Sequence, residues 1–171
     1  MIGFFGRNWR IGDIYNTSQE RQFKSNACSV SLVGISRSIE KVPITDIWKS
    51  LFFRNKSTMN ILWVVFDFQV TSNESGKSYP VKVRVQYDPY GNKIMDGKIQ
   101  VYCGCPDFKF GSAYELNNHG ALYRSESTDI ELGPSITTAP KKRRNGGVLC
   151  KHSYAALSYF LGNYQKLMSD V

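Results

Sequence analysis

No apolar run in this 171-residue sequence approaches the roughly 20 residues that span a bilayer; the longest, ILWVVF at 61–66, is strand length. A membrane partner is therefore not expected. The opening MIGFFGRNWRIGD lacks the basic-then-apolar pattern and small-residue cleavage site of a secretory signal, so an intracellular product is expected. Cysteine is scarce, with four in the chain, and histidine scarcer, with two. A chain of this length can bury roughly 68–70% of its unfolded surface, so it needs no disulfides to stay folded. Where thiols are kept reduced, four cysteines point to metal or to chemistry before they point to cross-links. P-loop and dinucleotide fingerprints are missing, and Asp67, Asp88, Asp96 and Asp107 are scattered, with no paired acid and base. Cys150 and His152 resemble a nucleophile and base, but an activated thiolate needs its base oriented by a third group. The expectation is a protein that is not an enzyme and has no small-molecule substrate.

What the chain does have is positive charge. Twenty-two Lys and Arg against 14 Asp and Glu give a net charge of +8, which favours an acidic partner, either nucleic acid or an acidic protein surface. With 42% hydrophobic and 13% aromatic residues the composition is that of a globular domain.

Residues 1–27 mix Gly, aromatics and charge without a period and read as an N-terminal arm, in which Phe4, Phe5 and Trp9 are candidate anchors for a neighbouring subunit or core residues. Residues 28–171 read as one domain. CSVSLVGIS (28–36) alternates as a strand, and ITDIWKSLFF (44–53) suits a short helix capped by Thr45. Three more strands follow at 60–70, 79–87 and 97–105, separated by TSNESGKS and DPYGNK turns. The second of these places Val81, Val83 and Val85 on one face and Lys82 and Arg84 on the other, where they extend a basic patch. FGSAYELNNHG (110–120) reads as a helix stopped at Gly120, and 124–147 as a long polar loop. VLCKHSYAALSYFLGNYQKLM (148–168) has helical apolar spacing, with Gly162 as a weak point. The fold class expected is α+β: an antiparallel meander of three to four strands packed on a C-terminal helix.

Cys103 and Cys105 end a strand; Cys150 and His152 stand where the last helix begins. Residues two apart on a helix diverge by about 200°, so Cys150 belongs at the cap and His152 in the first turn if they are to share a ligand. Zinc takes four N or S donors in a tetrahedron, and these four residues supply three thiolates and an imidazole that join sheet to helix. A helix N-terminus together with Lys109 and Lys151 would favour thiolates. Cys28 reads as core, His119 as a cap or solvent-facing residue, and Asp107 as an exposed turn carboxylate or a partner of the imidazole.

The pattern resembles the SWIM-type zinc finger, C-x-C followed after a variable gap by C-x-H, carried here by CGC at 103–105 and CKH at 150–152. The resemblance implies zinc held by Cys103, Cys105, Cys150 and His152 and a role in binding DNA or protein. The gap of 44 residues is longer than is usual for the family. The longer stretch CGCPDFKF…ALY…APKKRRN…GVLCKHSYAAL is similar to a group of tailed-bacteriophage proteins, which implies a virion or assembly component; without that link the location expected is cytoplasmic. KKRR, comprising Lys141, Lys142, Arg143 and Arg144, is the densest charge and suits a partner groove or phosphates, or else a solvated loop. The functional expectation is a zinc-binding structural subunit of a large complex; the alternative is a nucleic-acid-binding zinc module.

Overall fold

The computed structural model describes residues 9–19, 22–43, 58–87, 94–140 and 148–171. Phe4, Phe5, the helix expected at 44–53, the DPYGNK turn and Lys141 to Arg144 lie outside the described residues. Along the chain the elements are α1 (Ile11–Thr17), the single turn α2 (Gln22–Ser25), β1 (Cys28–Pro43), β2 (Thr58–Ser72), β3 (Ser78–Gln86), a 3-10 turn (Ile94–Asp96) and β4 (Ile99–Cys103). Then come α3 (Pro106–Gly111), α4 (Ala113–Asn118), α5 (Glu126–Leu132), a second 3-10 turn (Gly133–Ile136), α6 (Lys151–Gly162) and α7 (Tyr164–Ser169).

The strands form one antiparallel sheet in the order β1-β2-β3-β4, the meander expected from the alternating pattern. Val81, Val83 and Val85 point into the core, because successive strand side chains face opposite ways and only that face is apolar. α6 lies on this face. Its Tyr154, Leu157 and Phe160 are fully buried, with Phe160 5.0 Å from the ring of Phe66, and each contributes about 1.5–3 kcal/mol through burial. Residues 121–123 cover the outer edge of β4 through Val101 N–H to Ala121 O and Tyr123 N–H to Val101 O. No helix among the described residues is long and apolar enough to cross a membrane.

On the opposite face the register sets Asp67 beside Lys82 and Val65 beside Arg84. Lys82 pairs with Asp67, while Arg84 hydrogen-bonds Gln100, lies 4.4 Å over the Trp63 ring and faces Glu40 at 3.7 Å. The basic patch expected from Lys82 and Arg84 is thus corrected: each cation faces a carboxylate, Asp67 on the adjacent β2 and Glu40 on β1.

Two segments read as irregular are ordered into the body. Residues 11–17 form α1, whose Ile11 and Ile14 are buried, and the Asp13 carboxylate accepts from the Arg10 N–H to cap the first turn. Trp9 is half-buried, its ring stacked 3.8 Å from that of His119. A seven-residue helix with two core contacts is too short to show a period, which is why the sequence gives no sign of it. Within 124–147, residues 126–136 are helical and not loop. Ser125 caps α5, its Oγ accepting from Thr128 N–H while Thr128 Oγ1 accepts from Ser125 N–H, and Leu132 and Ile136 anchor the segment in the core. The weak point at Gly162 is real: α6 ends there, and Asn163 separates it from α7.

Candidate metal centre

β4 delivers Cys103 to the bottom of the core, and the chain then turns at Gly104, whose N–H donates to Pro80 O. A Cβ at position 104 would meet the Pro80 ring at 3.1 Å, so glycine lets the turn lie close against β3. Cys105 is the N-cap of α3: its sulfur accepts the Phe108 N–H at 3.3 Å, and Pro106 fills the first helical position, where no N–H is needed. Cys150 repeats the device at α6, accepting the Ser153 N–H at 3.3 Å with the Ser153 hydroxyl 3.1 Å away. Next to it, Leu149 N–H donates to Ser18 Oγ at the end of α1, so the N-terminal segment braces the cap. His152 enters from the first turn of α6, against the Tyr79 ring.

The structure brings all four expected residues together. The Sγ atoms of Cys103, Cys105 and Cys150 and a ring nitrogen of His152 lie within 4.8 Å of one another. A tetrahedron with Zn–S bonds of 2.3 Å has edges of about 3.8 Å, so the four donors need close by no more than about an ångström around an ion. The residues are 0%, 1%, 0% and 5% exposed, which removes water as an alternative partner. Both ring nitrogens of His152 are buried without a hydrogen-bond partner, a costly state that a metal bond relieves at one of them.

The electrostatics fit as well. Burial pushes the Cys103 thiol well above its ordinary value, and hydrogen bonds to Cys105 and Cys150 add to it. A hydrogen bond from Cys103 draws Cys105 down, but its contact with Cys150 and burial carry it up to about 12. Burial opposes ionisation of Cys150 too, yet the neighbouring Cys103, Cys105, His152 and Ser153 outweigh it and hold this thiol well below the usual range. A divalent cation at the centre favours the ionised form of all three thiols. The N–H groups at two helix starts face the sulfurs, whereas the expected lysines are engaged elsewhere. Lys151 binds Glu74 and Ser72, and Lys109 donates to Glu131 O.

The SWIM zinc finger family model matches residues 83–116 and 143–161, roughly a third of the chain. Those segments are similar to the SWIM zinc finger. Zinc is the metal its three sulfurs and one nitrogen select. No curated protein and no solved structure matches the chain. The finger's two ligand pairs are separated by an insert whose α5 returns to it: Glu131 accepts a hydrogen bond from Tyr102, the residue before Cys103. The sequence reading missed this contact, and also the capping roles of Cys105 and Ser153; Pro106 immediately after Cys105 is the signal that marks the first.

Other residues weighed from the sequence lie outside the group. Cys28 is half-buried at the start of β1, His119 caps α4 beneath Trp9, and Asp107 is exposed in the first turn of α3.

Proposed function

We propose that the chain is a non-enzymatic interaction module whose zinc holds the fold while its surface docks on other protein subunits of a larger assembly. The observation that carries this reading is the closed donor set: four buried protein ligands leave zinc no position for water or substrate, so its work is structural. The likeness to tailed-bacteriophage proteins supports a virion as that assembly; a cytoplasmic complex would use the same surfaces. Co-sedimentation tests it. A fixed ratio of this chain to the major proteins of particles from its native source, retained through a high-salt wash, is expected, and its absence from particles would refute the reading.

Nucleic acid is the second reading, favoured by one feature. From Gly133 to Ser169 there is no Asp or Glu, while Lys141, Lys142, Arg143, Arg144, Lys151 and Lys166 are all present. Phosphate binding through these cations would weaken steeply and linearly in log affinity against log salt. Docking through apolar surface would be nearly insensitive to salt.

A further inference from the structure

The 44 residues between the two ligand pairs include α5, and Glu131 near the end of that helix returns to one short stretch of chain. Its carboxylate accepts a hydrogen bond from the hydroxyl of Tyr102, the residue before Cys103. Its main-chain O accepts from the Lys109 ammonium at 2.7 Å, just beyond Cys105. Between these points the carboxylate lies over Gly104, where a Cβ would stand 3.4 Å from Glu131 Oε1. One residue outside the ligand set thus touches the C-x-C turn before, between and after its two cysteines. Tyr102 carries the contact inward. It is 2% exposed, its ring meets that of Phe108 edge-on at 6.0 Å, and the Phe108 N–H is the donor to Cys105 Sγ. The phenol therefore fixes the residue that precedes one sulfur and packs the residue that donates to the other.

We propose that Glu131 is a positioning residue for the metal centre, and that the segment inserted between the ligand pairs holds Cys103 and Cys105 in place for zinc. Residues that hydrogen-bond behind a metal site set its affinity, and losing one typically costs about 10–100-fold. The four donors, within 4.8 Å of one another, must close to the edges of about 3.8 Å of a zinc tetrahedron. How freely the turn that carries two of them moves therefore bears on how long the ion stays. Attraction to the ion is not what Glu131 supplies, since zinc with three thiolates carries net negative charge; it supplies an acceptor that fixes the Tyr102 hydroxyl. Unpaired, that hydroxyl of a buried residue would be costly and the phenol would be released to move. Cys150 has its own brace in the bond from Leu149 N–H to Ser18 Oγ, so segments far apart in sequence support the two halves of the site. The coupling is reciprocal: whatever factor Glu131 adds to zinc affinity, zinc adds to the docking of α5. The proposal rests on the zinc assignment and is independent of which partner the chain docks on.

The test follows the rate at which an excess of a chromophoric chelator strips zinc from the full chain. Glu131→Ala, a change at an exposed residue, and Tyr102→Phe, which keeps the ring, each remove the hydrogen bond between them. Both are expected to release zinc about tenfold faster than the native chain. The double variant should be no faster than either single one, because the two groups act through one bond. Glu131→Gln keeps an acceptor for the hydroxyl and should return the rate close to native. Cobalt in place of zinc gives a second readout: its thiolate absorption bands should shift in Glu131→Ala and return in Glu131→Gln, which a loss of stability alone would not produce. Ser125→Ala weakens α5 at its other end without touching Glu131 and is expected to release zinc at the native rate. Unchanged release from Glu131→Ala, effects that add in the double variant, or equally fast release from Ser125→Ala would each overturn the proposal. The two claims separate cleanly: a native chain without zinc sinks the metal assignment as well, whereas zinc that is held by the native chain and released unchanged by Glu131→Ala sinks only the role of Glu131.

Discussion

Replacing Cys150 with serine separates the metal from everything else at its position. Serine is among the best N-cap residues, so the Ser153 N–H keeps an acceptor and α6 keeps its start. The substitution removes one zinc ligand and little more. A metal held at a thousandfold excess over its dissociation constant stabilises the folded state by about 4.1 kcal/mol. For a domain of this size each kcal/mol moves the melting temperature by about 2–4 °C, so Cys150→Ser is expected to lower Tm by about 8–16 °C. The loss should be cooperative over the whole domain, because the site ties the end of β4 and the start of α3 to the helix that carries Tyr154, Leu157 and Phe160 into the core. Circular dichroism melts with and without a chelator are the assay. Chelator should bring the native chain down to the variant's Tm and leave the variant unmoved. If Cys150→Ser melts with the native chain and chelator shifts neither, zinc does not hold this fold.

Other consequences follow from the same geometry. Since burial raises the Cys103 thiol and the contact with Cys150 together with burial raises Cys105, zinc binding at neutral pH should release protons. Affinity should therefore fall as pH drops, and calorimetry in buffers of different ionisation enthalpy counts the protons; release of none would contradict the assignment of thiols. Phe160→Ala leaves a cavity against Phe66 and should cost about 3–5 kcal/mol in denaturant unfolding with the zinc content unchanged. Ser125→Ala removes the cap of α5 and should cost about 1 kcal/mol, with faster amide exchange confined to 126–132; unchanged exchange would mean that this helix does not depend on its cap.

The sheet and the metal site were legible in the sequence for the same reason: each repeats a spacing. Val81, Val83 and Val85 announce their face by period two, and Cys103, Cys105, Cys150 and His152 pair at ligand spacing on element boundaries. α1 and α5 were not legible, because helices of seven residues that touch the core at two points carry no period, and their capping residues also occur in loops. The pairing of Lys82 and Arg84 was hidden for another reason. Their partners stand on other strands: the register sets Asp67 opposite Lys82, and Glu40 reaches Arg84 from β1, across β2. A hollow beside Phe110 joins residues of α3 and α4 to residues inside a stretch read as loop, so no local pattern marks it.

The measurement that bears most directly on the central claim is the zinc K-edge absorption spectrum of the full chain purified without added metal, taken alongside its metal content. One zinc per chain is predicted, with three sulfur neighbours near 2.3 Å and one nitrogen at about 2.0–2.1 Å. A spectrum with oxygen in place of a sulfur, or protein that carries no zinc, would contradict the assignment of Cys103, Cys105, Cys150 and His152 as its four ligands.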